Sequence, residues 1–177
     1  MKRSFVILAA VVIVLIAVGG VYAGLYLSSP GSSTCTGSNG VVQVVAGENF
    51  WGSLISQVGG NHVHVISIVS DPNADPHTYE TNAANAQAIT NACLVIVNGA
   101  GYDTWALRLI AAANSPHQTV LNVQQLLGQP ADTNPHFWYS PYYVNTTVNA
   151  MYKALVSIDP GDTAYYKQQY AALNSSL

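Results

Sequence analysis

The chain has 177 residues, of which 7% are charged and 50% are hydrophobic, and its formal net charge is −3. After residue 40, eight carboxylates face three cations, Arg108, Lys153 and Lys167. Such a surface lacks the basic stripe that binds phosphates, so nucleic acid is excluded as a partner. The part of the chain after residue 40 has a length that suits one domain.

An apolar segment near the amino terminus predicts export. Lys2 and Arg3 precede residues 5–27, which contain no charged residue. About 20 apolar residues are enough to cross a bilayer as a helix, and the positive pair predicts a cytoplasmic amino terminus. We predict that residues 1–27 are a signal-anchor, and Val21-Tyr22-Ala23 leaves cleavage as a signal peptide open. The rest of the chain is expected on the extracytoplasmic face of the membrane, anchored there, or secreted if the segment is cleaved.

A polar spacer follows the apolar segment. Residues 28–40 are rich in Ser, Thr and Gly, which predicts a flexible linker. The two cysteines, Cys35 in the linker and Cys93 beside an apolar run, do not imply a disulfide framework. The folded part is expected to begin at residue 41.

Strand and helix patterns alternate from residue 41 onward. Short β-branched runs predict strands at 41–46, 62–69, 94–97 and 119–123. Helical patterns predict helices at 48–58, 81–91, 102–113, 142–158 and 163–177. A helix in each interval between strands implies a parallel sheet covered on both faces. We therefore predict a four-stranded α/β lobe at 41–140, followed by a helical segment at 141–177.

Two details of the predicted elements concern single faces. Phe50, Leu54 and Val58 recur every four residues and are the expected buried face of the first helix. His62 and His64 alternate along the second strand and so share one face. A metal pair is conceivable there, but exposed strand positions are the favoured interpretation.

The last predicted helix has a residue that suits its N-cap, but the sequence shows no signal for its carboxyl end. Asp162 is the expected N-cap, and Tyr166, Tyr170 and Leu173 form a stripe that is still running where the sequence stops. We therefore expect the chain to be incomplete.

Two Pro-His pairs follow predicted strands. His77 lies in Asp-Pro-Asn-Ala-Asp-Pro-His-Thr-Tyr-Glu, residues 71–80, and His136 lies in Asn-Pro-His-Phe-Trp, residues 134–138. In open α/β sheets ligands bind beyond the carboxyl ends of the strands, and a neutral imidazole is a common ligand for zinc and related ions. Proline stiffens the approach to each histidine. These residues alone leave two interpretations open, structural loop histidines or metal ligands.

Several motifs together resemble a known family. The segments Glu-Asn-Phe-Trp-Gly-Ser-Leu at 48–54, the two Pro-His motifs, and Leu-Val-Ile-Val-Asn-Gly-Ala-Gly-Tyr-Asp at 94–103 occur in the same order as in the zinc and manganese receptors of ABC transporters. The resemblance to these metal-binding solute-binding proteins covers residues 41–177. It implies a non-catalytic, extracytoplasmic protein that captures a divalent transition metal and delivers it to an ABC permease in the membrane.

The resemblance also implies which residues bind the metal. Members of the family hold one ion between two α/β lobes joined by a long helix, and the first two ligands correspond here to His77 and His136. The third and fourth ligands come from a second lobe, which this chain lacks. A second lobe or a separate chain is therefore an expected partner, and the final helix would be the start of the interlobe helix. Asp75 and Glu80 are candidates to orient the His77 ring, and loop capping by Asp75 is an equal alternative.

Two other functions remain in view. The first is a non-catalytic cell-surface or adhesion module derived from this lobe, which predicts that the two histidines are dispensable. The second is a zinc hydrolase with two histidines and an open coordination position. The sequence contains no His-Glu-x-x-His or similar compact motif, which argues against the hydrolase.

Overall fold

The sheet has four parallel strands, as predicted. A computed structural model describes residues 40–177, which belong to one compact unit. The strands are β1 (Val42–Glu48), β2 (Val63–Val69), β3 (Leu94–Val97) and β4 (Thr119–Asn122). The helices are α1 (Asn49–Gly59), α2 (Ala83–Asn91), α3 (Thr104–Ala113), α4 (Val123–Leu126), α5 (Pro141–Ile158) and α6 (Thr163–Asn174).

No helix within residues 40–177 is long and apolar enough to cross a membrane. The signal-anchor predicted at residues 1–27 and nearly all of the predicted linker lie outside the described residues.

The strand order is β2-β1-β3-β4, and every neighbouring pair is parallel. The chain therefore moves outward from β1 to β2 and then crosses to β3 on the other side. Such a reversal leaves a crevice at the carboxyl ends of the two central strands, where α/β proteins bind ligands. Glu48 ends β1 and Asn98 follows β3, so these two residues lie on either side of that crevice.

Side chains alternate between two cores on opposite faces of the sheet. Val44 of β1 packs in one core with helices α1, α5 and α6, and its neighbour Val45 packs in the other with α2 and α3. Leu155 of α5 is fully buried in the first core, and Ile89 of α2 in the second. Truncating either side chain to alanine would destabilise the fold by about 2–5 kcal/mol.

The core-facing surface of α1 is wider than the predicted stripe. Val58 is fully buried, and Phe50 and Leu54 are half-buried and pack against the first core, so the predicted face does contact it. Trp51 and Ile55, which the four-residue spacing did not single out, are fully buried as well.

The start of β2 also differs from the prediction. A single 3-10 turn, Gly60–His62, precedes the strand, so His62 does not lie on β2 and does not share a face with His64. Instead the ring Nδ1 of His62 contacts the carboxylate of Asp162. Asp162 does hold the N-cap position of α6, but its side chain makes no capping hydrogen bond there. Tyr166, the first residue of the predicted stripe, is fully buried along α6.

Two features were not predicted. The chain after β4 forms the short helix α4, which Asn122 caps by accepting from the backbone N–H of Gln125. Cys93, buried directly before β3, is disulfide-bonded.

Candidate metal centre

His77 lies on a tight turn after β2. The carboxylate of Asp75 accepts from the backbone N–H of His77 at 3.0 Å and caps the 3-10 turn Pro76–Thr78. Proline stands at the first position of this turn, where its missing N–H leaves no bond unmade. Asp75 therefore fixes the backbone of His77, and the hydrogen bond of the ring goes to another residue.

The ring of His77 is held by a different residue. Its Nδ1 lies 3.2 Å from the carbonyl oxygen of Gly101. A carbonyl oxygen can only accept, so Nδ1 carries the proton in the neutral ring, and Nε2 keeps a free lone pair. The His77 side chain is exposed.

His136 reaches the same tautomer through its own loop. The Asn134 Oδ1 atom accepts from the backbone N–H of His136 at 3.0 Å, and the ring Nδ1 contacts the same oxygen. Because the backbone bond identifies this atom as the amide oxygen, Nδ1 is again the donor and Nε2 keeps its lone pair. Phe137 is buried and anchors the loop, and its N–H donates to the oxygen of Pro135 at 2.8 Å.

Both Pro-His motifs accept hydrogen bonds from side chains of one stretch of the chain, residues 98–105, which we call the β3–α3 segment. The indole N–H of Trp105 donates to the carbonyl oxygen of Pro76 at 3.1 Å. The side-chain amide of Asn98 donates to the carbonyl oxygen of Pro135 at 2.9 Å. The residue before each histidine is therefore bonded to this segment.

Tyr102 of the β3–α3 segment lies between the two histidines. Its ring centroid is 4.9 Å from that of His77 and 6.2 Å from that of His136. Burial raises the pKa of the Tyr102 hydroxyl, and the acidic groups around it, Asp75 among them, raise it further. The phenol therefore stays neutral, and the two histidines share a neutral aromatic neighbour.

Two buried carboxyl groups lie beneath the segment. Asp103 accepts from the backbone N–H groups of Asn98 at 2.6 Å and Gly99 at 2.9 Å. Glu48 is 1% exposed, and no N–H or hydroxyl group within residues 40–177 donates to either of its oxygens. Burial and then the charge of Asp103 raise the pKa of Glu48 well above its ordinary value. Sequence reasoning missed both groups, because it placed Glu48 at the start of the first helix and not at the end of β1.

Asp75 and Glu80 were the predicted candidates for orienting the His77 ring, and they occupy different environments. Asp75 caps the turn, and Glu80 is exposed. Within residues 40–177, neither carboxylate makes a hydrogen bond to a histidine ring. The exposed Nε2 atoms of His77 and His136 remain the candidate ligands, and two neutral imidazoles suit zinc and neighbouring divalent metals.

A second group of metal-binding residue types lies elsewhere. His62, Asp159 and Asp162 have ligand atoms within 4.8 Å of one another. These atoms already have partners, because Asp162 contacts His62 and the hydroxyl of Tyr166 donates to Asp159 at 2.8 Å. The group links the turn before β2 to the start of α6 and contains neither predicted ligand.

Comparison with known proteins identifies the family of the chain. Residues 44–177 match the family described as zinc-uptake complex component A, periplasmic. A protein of Treponema pallidum (strain Nichols) that is named for metal binding is 30% identical over 161 residues, covering 80% of this chain and 50% of the relative. The zinc-binding protein TroA of the same organism is 26% identical over 132 residues, covering 70% of this chain and 42% of TroA.

A solved structure shares the fold. The Mn-bound periplasmic metal binding protein from candidatus liberibacter asiaticus matches with a TM-score of 0.66 at 21% identity, over 75% of this chain and 52% of that chain. The chain spans about half the length of the curated relatives that it matches. Since the family match extends over most of its residues, the chain belongs to the zinc-uptake complex component A family of metal-binding solute-binding proteins of ABC transporters.

Proposed function

We propose that this chain captures a divalent transition metal ion, zinc or manganese, through the Nε2 atoms of His77 and His136. The observation that carries the proposal is the matched tautomer of the two rings. Each Nδ1 donates to a fixed oxygen acceptor, Gly101 O for His77 and Asn134 Oδ1 for His136. A hydrogen bond of this kind orients a metal-binding histidine and increases its basicity.

Two imidazoles do not complete the coordination of either metal. Zinc is usually bound by four ligands in structural sites, so further donors are required. We infer that they come from a polypeptide corresponding to the half of the relatives that this chain does not match. Nitrogen donors there would favour zinc, and oxygen donors would favour manganese.

The proposed task is binding and delivery to an ABC permease on the extracytoplasmic side of the membrane. Family membership and the names of the relatives support this role. If residues 1–27 anchor the chain as the sequence predicts, the tether would raise its effective concentration near the permease.

The proposal is tested by titrating the purified chain with zinc and with manganese by calorimetry, beside a His77→Ala/His136→Ala double variant. His64→Ala is the matched control, because His64 is also exposed and its Nδ1 also lies near an amide oxygen, Gln43 Oε1 at 3.1 Å. We expect the double variant to lose binding and the control to retain it. Equal binding by all three proteins would overturn the assignment of the ligands.

A second titration addresses the incomplete coordination. Adding the half of a relative that this chain does not match, as a separate polypeptide, should increase affinity in the wild-type chain and not in the double variant. If the added polypeptide has no effect, and loss of both histidines leaves the biological role intact, the chain is a surface module.

A further inference from the structure

We propose that Glu48 and Asp103 hold one proton between them and act as positioning residues for the histidine site. Asp103 is the anion that fixes the β3–α3 segment, and Glu48 is the neutral acid buried beside it. The link to metal binding depends on the proposed function, but the shared proton does not.

The position of the pair is the first argument. Glu48 ends β1, and Asp103 immediately precedes α3, so both residues lie near the carboxyl ends of the central strands. Their carboxyl groups interact, because the charge of Asp103 and a side-chain hydrogen bond with it contribute to the raised pKa of Glu48. Both are within 1% of complete burial. The backbone of β1 approaches the Asp103 carboxylate closely, because a Cβ atom at Gly47 would lie 3.0 Å from Asp103 Oδ2.

Asp103 is the better place for the negative charge. Its two oxygens accept from the N–H groups of Asn98 and Gly99, and these bonds stabilise the ionised form. They oppose the burial that raises its pKa. Glu48 has no such donors among the described residues.

Glu48 is therefore the better place for the proton. Two carboxylates that share a buried site cannot both ionise without a large penalty. The titratable groups that face Glu48 are Asp103, across the crevice, and Tyr102, from the β3–α3 segment. Within residues 40–177 no lysine or arginine forms an ion pair with either carboxyl group.

The pair reaches the histidines through the segment. Asp103 fixes the backbone at Asn98, whose amide holds Pro135, and at Gly99. The same segment supplies the Gly101 oxygen that accepts from the His77 ring. An ionised Glu48 would place a second negative charge beneath this turn. That charge would weaken the hydrogen bonds that hold the turn to Asp103.

The shared proton is tested without metal by infrared spectroscopy of the purified chain. At pH 7 we expect the C=O stretch of a protonated carboxylic acid, which disappears in Glu48→Gln and persists in the exposed control Asp132→Asn. In Asp103→Asn, the band should vanish at a lower pH because the neighbouring charge has been removed. Absence of the band from the wild-type chain, or its persistence in Glu48→Gln, would overturn the proposal.

The positioning role is tested by the imidazole nitrogen NMR shifts of His77, which report its tautomer without metal. Asp103→Asn should move them toward the mixed tautomers of a free histidine. Zinc affinity should fall about tenfold in Asp103→Asn, and Glu48→Gln should weaken binding less than Glu48→Ala. Unchanged His77 shifts in Asp103→Asn would overturn the role. Failure of the wild-type chain to bind zinc would overturn the proposed function and leave the infrared and NMR results decisive for the carboxyl pair.

Discussion

The indole N–H of Trp105 donates to the carbonyl oxygen of Pro76, the residue that precedes His77, at 3.1 Å. Asn98 makes the equivalent bond to Pro135, the residue that precedes His136, at 2.9 Å. Two loops that are far apart in the sequence are therefore fastened to one short segment after β3. The spacing of the two candidate ligands depends on that segment as much as on the loops.

Trp105→Phe tests this dependence at the His77 loop. The phenyl ring keeps the aromatic contact with Tyr79, whose ring centroid is 5.0 Å from that of Trp105, but it cannot donate to Pro76. We expect a loss of about 1–2 kcal/mol in the free energy of unfolding, measured in urea. Zinc affinity should also fall, because the turn that carries His77 loses its anchor. A variant that binds zinc as tightly as the wild-type chain would show that the proline bond does not matter for the site.

Two glycines of the same segment make a matched pair. Gly99 and Gly101 both have positive φ angles, +75° and +76°. A Cβ atom at Gly99 would lie 2.5 Å from Asn122 Oδ1, whereas a Cβ atom at Gly101 would meet nothing within 4 Å. We expect Gly101→Ala to cost about 1–2 kcal/mol from backbone strain alone, and Gly99→Ala to cost about 1–3 kcal/mol more. Urea unfolding of the two variants measures the difference, and equal losses would contradict the predicted clash.

The stability of the chain should depend on pH through Glu48. Its pKa in the folded chain is raised well above the ordinary value of 4.5. Between that value and the raised pKa, the native state binds more protons than the unfolded state, so stability falls as the pH rises through this window. Glu48→Gln removes the titration of this group and should make the chain more stable than wild type at neutral pH, with little difference below pH 4.5.

Thermal unfolding from pH 4 to pH 8 measures this difference curve. Asp132→Asn serves as the control, since Asp132 is exposed. A Glu48→Gln curve that runs parallel to the wild-type curve across the window would mean that Glu48 does not carry a proton in the folded state.

The contact between His62 and Asp162 should be structural and unrelated to the cargo. Both side chains are about one-third exposed, at 34% and 39%. A double-mutant cycle with His62→Ala and Asp162→Ala should therefore give a coupling energy of at most about 1 kcal/mol. The zinc stoichiometry measured by calorimetry should not change in His62→Ala. Loss of a bound zinc ion in that variant would show that this group is a metal site after all.

The parallel sheet and the two histidine loops were predictable because their signals are local. β-branched runs such as residues 94–97 identify strands, and a Pro-His pair after a strand places its histidine at the carboxyl edge. The prediction of His77 and His136 as ligands required the family resemblance, because a loop histidine alone has several roles.

Other features depend on contacts that the sequence does not display. The core-facing surface of α1 includes Trp51 and Ile55 beside Phe50, a width that the four-residue apolar spacing does not reveal. His62 lies in the turn before β2, and its ring contacts the carboxylate of Asp162, 100 residues away. Partners that are far apart in the sequence come together only when the elements pack. The pairing of Glu48 with Asp103 was not predicted for the same reason.

The crevice at the carboxyl ends of β1 and β3 is already full. Glu48, Asn98 and Asp103 occupy it and are all at most 1% exposed, whereas His77 and His136 lie on the exposed rim above them. An ion bound at the proposed site would therefore reach and leave the histidines from solvent, without any separation of strands or helices. No element within residues 40–177 covers the two exposed histidines, so the lifetime of such an ion would depend on what covers this rim. The rate of ion exchange is then a property of that cover, and the lobe on its own should equilibrate with its cargo quickly.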